Sequence, residues 1–284
     1  FYVGDVRDRD SVDDVMSGVD YVFHAAALKQ VPTCEFFPMQ ATQTNVIGSQ
    51  NIINSAISHG VSKVISLSTD KAVYPVNALG ITKALMEKVV QSTSRKLFQG
   101  QTILSLVRYG NVLFSRGSVI PLFLKQIREK KPITVTEYEM TRFLLPLKEA
   151  IQLVGFALQN GRQGDIFVCN APSANIGDLA QALKNIFSSD SEIKIMGIRH
   201  GEKLHETLVS KEELLRSEDM GGYLRLSMDD RDLNYKKYLS EGDKKVIQTE
   251  DYTSQNTTRL TVPKIEEMLL AQPEIIAELK NQEL

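Results

Sequence analysis

The sequence predicts an α/β fold: a doubly wound parallel sheet with a second, smaller α/β part. Three observations carry this. Up to Gly110, short apolar runs alternate with amphipathic helical stretches. The apolar runs are continuous rather than alternating, as strands covered on both faces require. Strand, helix, strand, helix in succession implies right-handed crossovers.

Phe1–Val3 reads as a strand running into Gly4-Asp5-Val6, and a chain that opens inside a strand is expected to lack an N-terminal piece. The runs Asp20–Ala26, Lys63–Thr69 and Thr102–Tyr109 are the next strands. Between the first two of these, Val46, Ile47, Ile52, Ile53, Ala56 and Ile57 form a helical stripe closed by Gly60. Ala78, Ile81, Leu85, Met86, Val89 and Val90 repeat the pattern after the second. Asp165–Cys169 reads as a further sheet strand, Ile176–Phe187 as a helix, and Glu192–Met196 as a strand outside the main sheet. Residues 215–260 are polar, and Pro263–Leu284 reads as a charged helix. The expected division gives 1–115 with 148–180 to the doubly wound part, and 116–147 with 181–245 to the smaller part. Residues 246–284 are left as a tail and helix.

With 33 basic and 35 acidic residues in 284, the net charge is -2, which lacks the positive field of a nucleic-acid binder. No apolar run approaches the ~20 residues that span a bilayer, and no signal peptide opens the chain. Cys34 and Cys169 fit neither a disulfide framework nor a zinc knuckle, and the four histidines show no HExxH pairing, so no metal is expected. A cytoplasmic protein without membrane span or nucleic-acid partner is expected.

Doubly wound sheets bind ligands at the carboxyl ends of their strands, here the loops after Ala26, Thr69 and Tyr109. Ser68-Thr69-Asp70-Lys71 places hydroxyl, carboxylate and ammonium at one such end, and Lys83 follows one helical turn after Leu79. An acid beside an amine suits general acid/base work, although Asp-Lys alone also reads as a solvated surface pair.

Seven segments in order extend the pattern: Gly4–Asp8, His24–Val31, Ser68–Ala72, Arg108–Val112, Ser115–Pro121, Met140–Phe143 and Arg199–Lys203. In these the chain resembles the extended branch of the short-chain dehydrogenase/reductases, with its Rossmann-like fold. Within that branch it is similar to the CapE-type UDP-N-acetylglucosamine 4,6-dehydratases (5-inverting) of capsular polysaccharide biosynthesis. In that family a GxxGxxG turn and two strands precede the Gly-Asp-Val segment; they are absent from the chain as it stands. The resemblance implies NADP, or NAD, as cofactor, a UDP-sugar substrate, and a homo-oligomer with hexamers among its sizes.

The same resemblance implies roles residue by residue. Asp5 and Val6 read the adenine, Ala25 and Ala26 pass close to the cofactor, and Lys29 lies over the active site toward cofactor or sugar. Lys83 matches the YxxxK lysine that holds the nicotinamide ribose. Leu79 stands where that motif has tyrosine, a departure shared with CapE-type enzymes, which carry an apolar residue there. Tyr74, in a Tyr-Pro turn, reads as a loop residue. Hydride leaves sugar C4, Lys71 takes the C5 proton, Asp70 protonates the departing C6 hydroxyl with Thr69 orienting, and hydride returns to C6. Asn111, Ser118, Val119, Arg199 and Glu202 contact the nucleotide sugar, and Arg142 either binds it or braces the smaller part. His200 takes no role, Tyr235 and Tyr238 read as surface loop or subunit contact, and the C-terminal helix as an oligomer latch. The implied reaction is 4,6-dehydration with C5 inversion. A nucleotide-sugar 4-epimerase and a non-catalytic nucleotide-sugar-binding paralogue are the alternatives.

Overall fold

The computed structural model describes residues 1–98, 100–228 and 250–282. The chain forms two compact units, the first of residues 1–108, 152–170 and 208–252, the second of 109–151, 171–207 and 253–284.

The first unit is built on a six-stranded sheet in the order Tyr21–His24, Lys63–Thr69, Ile103–Tyr109, Ile166–Cys169, Tyr223–Leu226, Ser217–Asp219. Tyr21–His24 runs parallel to Lys63–Thr69, and Ile103–Tyr109 parallel to Ile166–Cys169, while the last two strands are antiparallel additions. Ile65, Leu104, Leu106, Phe167 and Val168 are fully buried, as strands sandwiched between helices require. The strand at Tyr21 differs from expectation: it is shorter and lies at the sheet edge, with Tyr21 and Phe23 about half exposed (53% and 51%). Phe1–Val3 forms no strand and lies exposed.

The stripes assigned to two helices also shift. The first region is a π-helical turn, Gln43–Ile47, running into helix Gly48–Ser58. The wider turn rotates the register, so Asn45 and Ser49 are buried while Ile47 is exposed. Gly60 ends this helix at φ 70°, a left-handed position that favours glycine. In helix Ala78–Ser94, capped by Asn77 Oδ1 accepting from the Gly80 amide at 2.8 Å, the buried face carries Leu79, Thr82, Lys83, Met86, Glu87 and Val90. Ile81 and Leu85 point outward. Internal partners for Thr82, Lys83 and Glu87 let polar groups take the inner face, which an apolar stripe cannot foresee.

The second unit holds a sheet of Asn111–Val112, Thr141–Leu145 and Ser173–Asn175, and a parallel pair of Ile133–Val135 with Ile193–Ile195. Its core joins Phe123 and Ile127 of helix Val119–Arg128 to Leu179 and Leu183 of helix Ile176–Ile186. The expected domain boundaries move accordingly. Residues 109–115, 148–151 and 171–180 belong here, and 208–228 belong to the first unit, where they extend its sheet. The C-terminal segment is two helices, Val262–Leu270 and Pro273–Gln282, because proline restarts the chain at 273. Ile265, Leu269 and Ile275 are buried in this core, while Leu270 and Ile276 of the same helices stay exposed. Tyr235 and Tyr238 lie outside the described residues. No described helix is long and apolar enough to cross a membrane.

Candidate active site

In the first unit the strand Lys63–Thr69 ends in a single 3-10 turn, Asp70–Ala72, whose N-cap is Thr69. Asp70 is completely buried. Its Oδ1 accepts from Thr69 Oγ1 at 2.7 Å and from Lys71 Nζ at 3.0 Å, while Oδ2 is buried with no hydrogen-bond partner among the described residues. A buried carboxylate oxygen without a partner marks a place where a ligand or a proton belongs. The Lys71 side chain is partly exposed (23%), so this is a half-open pair and not a solvated surface bridge. Gly80 packs against the turn from below: a Cβ there would lie 2.2 Å from the Lys71 carbonyl oxygen.

Lys83 is buried on the next helix, donating to Leu67 O at 2.8 Å and lying 3.7 Å from Met86 Sδ. Burial disfavours its charge and lowers its pKa from the ordinary 10.5 to about 8, against the opposing pull of Glu87. An unfolded chain therefore binds more protons than the folded one between about pH 8 and 10.4. The Lys83 contribution is thus expected to make the fold more stable as pH rises through that window. Urea midpoints at both ends should show the gain, and Lys83→Met should remove it.

Leu79 packs with Cys34 and Ala41, and with the partly buried Leu28, Val31 and Ala78. The position that the YxxxK pattern gives to a phenol is therefore an apolar pocket. Tyr74 offers no replacement. Its hydroxyl is 3.1 Å from Glu212 Oε2 and 3.2 Å from Asp251 Oδ1, and desolvation and the Glu212 contact push its pKa up to about 12.

Ala25, Ala26 and Lys29 are exposed on the loop after His24, not within the strand. Asn45, which the sequence reading passed over, fixes this loop. Its Oδ1 accepts from Leu28 N (2.8 Å), and its Nδ2 donates to Leu28 O and to Thr82 Oγ1 (both 3.0 Å). Nothing in its spacing marked it out, since the π turn brings it inward. His24 bonds Ser49 Oγ at 2.8 Å, and burial with the nearby Lys83 charge lowers its pKa to about 4. Asp5 is gripped by Arg7 (2.6 Å), whose hydrogen bonds lower the carboxyl to about 2. Val6 approaches Gly48, where an added Cβ would come within 2.7 Å of Val6 Cγ2.

The second unit carries the other candidates. Asn111 Oδ1, Ser118 Oγ and Glu202 Oε2 are each buried without a hydrogen-bond partner among the described residues. Ser118 is the N-cap of helix Val119–Arg128 yet makes no side-chain capping bond, and Val119 is half-buried against the core. Between Asn111 and Ser118 the backbone of Phe114 is left-handed (φ 58°), strain of a kind that gathers at functional loops. Arg199 is exposed and lies 3.8 Å from Glu202, with His200 also on the surface. Arg142 braces this segment, donating to Thr141 O at 2.7 Å, Lys203 O at 2.9 Å and Leu204 O at 3.3 Å.

A nicotinamide cofactor is what such a fold implies, and the chain fits the half that carries nicotinamide and ribose. The buried Lys83 ammonium donates to Leu67 O and to Met86 Sδ, which leaves one N–H for a ribose hydroxyl.

The fold is that of the extended short-chain dehydrogenase/reductases. The family described as "Polysaccharide biosynthesis protein" matches residues 1–228, and its C-terminal counterpart matches 229–275. The chain belongs to this polysaccharide biosynthesis protein family. It is 56% identical over 281 residues to a protein of Rickettsia felis named UDP-glucose 4-epimerase, covering 99% of this chain and 82% of that protein. A Rickettsia prowazekii protein of the same name shows the same identity and coverage. Among solved structures, Pen from Bacillus thuringiensis superposes with a TM-score of 0.85 at 32% identity, over 95% of this chain and 81% of that one. DesIV, a dTDP-glucose 4,6-dehydratase of Streptomyces venezuelae with NAD bound, shares the fold (TM-score 0.65, 22% identity, 71% and 68% coverage).

Proposed function

We propose that the protein is a UDP-N-acetylglucosamine 4,6-dehydratase that inverts C5, working with NADP in the synthesis of surface polysaccharide. The observation that carries the reading is the buried Thr69–Asp70–Lys71 turn with its unpartnered Asp70 Oδ2. The NAD in DesIV supports a nicotinamide cofactor, and the family description supports the polysaccharide setting.

When bound, oxidised nicotinamide supplies the hydride exchange that opens at C4 and closes at C6. A ketone at C4 acidifies the C5 proton, and the Lys71 amine takes it. Thr69 and Lys71 both donate to Asp70 Oδ1, so a proton on Asp70 resides on Oδ2, from which it passes to the departing C6 hydroxyl. Water leaves, the returning hydride makes C6 a methyl group, and a proton from solvent delivered to the opposite face of C5 inverts it. Preorganised charge supplies the acceleration. A homo-oligomer belongs to the proposal: Ile81 and Leu85, one turn apart, leave an apolar strip exposed on helix Ala78–Ser94.

A 4-epimerase is the second reading, favoured by the name that the Rickettsia relatives carry. Both readings begin with oxidation at C4 and need an acceptor for the 4-hydroxyl proton, which Leu79 does not offer. What separates them is that an epimerase has no use for an acid and amine serving C6 and C5. Proton NMR of the full-length protein with UDP-N-acetylglucosamine and NADP in deuterated water separates the readings. A new methyl signal with deuterium at C5 is expected. A C4-inverted sugar with its C6 hydroxymethyl intact would establish the epimerase instead, and bound but unchanged sugar a binding protein.

A further inference from the structure

Tyr74 occupies a left-handed backbone conformation (φ 45°) that glycine and asparagine adopt readily and a bulky aromatic does not. Its hydroxyl meets two carboxylates from distant parts of the first unit, Glu212 Oε2 at 3.1 Å and Asp251 Oδ1 at 3.2 Å. Both anchors are themselves held. Asp251 Oδ1 accepts from Lys211 N at 2.7 Å, and Glu212 lies on the short helix Lys211–Leu214. The next residue of that helix, Glu213, is tied to the buried Arg108 by bonds of 2.9 and 3.0 Å.

The same Arg108 binds Glu87, whose Oε1 accepts from Ser68 Oγ at 2.5 Å. The turn carrying Asp70 and Lys71 is therefore restrained on both sides, by Ser68 before it and by Tyr74 after it. Within the turn, Val73 N donates to Asp70 O at 3.2 Å.

We propose that Tyr74 is a positioning residue whose hydroxyl, clamped between Glu212 and Asp251, fixes the orientation of Asp70 and Lys71 toward the substrate. Its effect on turnover rests on the dehydratase reading; its effect on the turn does not. Tyr74→Phe keeps the ring and its backbone demand but removes the hydroxyl. In the full-length protein this variant is expected to lower kcat about 10- to 100-fold, since small displacements of reacting groups carry costs of that order. KM for UDP-N-acetylglucosamine should stay within about twofold, as the clamp touches no substrate group. The Val73 amide should exchange with deuterated water faster than in the wild type. Tyr74→Asn relieves the left-handed strain without restoring the clamp, so Tm should recover while kcat stays low. Unchanged kcat and unchanged Val73 exchange in Tyr74→Phe, or kcat returning together with Tm in Tyr74→Asn, would overturn the proposal. Absence of dehydration in the wild type would instead sink the reaction assignment, and Val73 exchange would still decide the clamp.

Discussion

Replacing Lys71 with alanine is expected to slow methyl formation by about 10²- to 10⁴-fold, the usual loss when a positioned acid or base is removed. UDP affinity should be unchanged, because the residues proposed to hold the nucleotide are Asn111, Ser118, Val119, Arg199 and Glu202 of the other unit. Lys71→Arg is the sharper variant. It preserves a cation beside Asp70 Oδ1, but a guanidinium does not give up its proton near neutral pH and cannot serve as a base. Arginine should therefore fail to rescue turnover, and deuterium should not enter C5. A rate restored by arginine would mean that Lys71 acts only through its charge, and the base would have to be sought elsewhere.

The second large effect is on stability. Arg108 is 2% exposed, and all five of its N–H donors are used, on Glu87, Glu213 and Leu208 O. Arg108→Met strands the buried Glu87 and the partly buried Glu213 without a cation. The expected loss is about 3–5 kcal/mol, as for other broken buried ion pairs. At about 2–4 °C per kcal/mol for a chain of this size, Tm should fall by roughly 10 °C or more. Removing a carboxylate as well, in Arg108→Met with Glu87→Leu, should recover part of the loss. Burial raises the Glu213 pKa, but the Arg108 charge and hydrogen bonds outweigh it and leave the group below its usual value. A lowered carboxyl contributes stability above the unfolded-state pKa and loses it as pH falls through the folded value. The gap between wild type and Arg108→Met should therefore narrow in acid, which urea midpoints at pH 7 and in the acid range would show.

The strands at Lys63, Ile103 and Ile166 were legible because a buried parallel strand must be apolar along its whole length, so periodicity and position suffice to find it. The place of Thr69, Asp70 and Lys71 at a strand end was legible because the apolar run of a buried strand stops there. Which side of helix Ala78–Ser94 faces inward was not legible. That choice rests on partners brought from far along the chain: Leu67 O for Lys83, Arg108 for Glu87 and Asn45 for Thr82. Asn45 escaped notice because a π turn altered the register by which its burial would be judged.

The domain boundaries and the clamp at Tyr74 depend on the same kind of information. The segment at Tyr223 is polar in sequence, yet it pairs with Ile166–Cys169 because a sheet edge stood open to it. The sequence alone determined the α/β class, the strand ends and the residue types gathered there, since local pattern and spacing carry those. Only the tertiary structure decided which polar groups are buried, which are satisfied and what holds the Asp70 turn in place. Hydrogen bonds and ion pairs between residues some 20 to 180 positions apart leave no periodic trace in the chain that makes them.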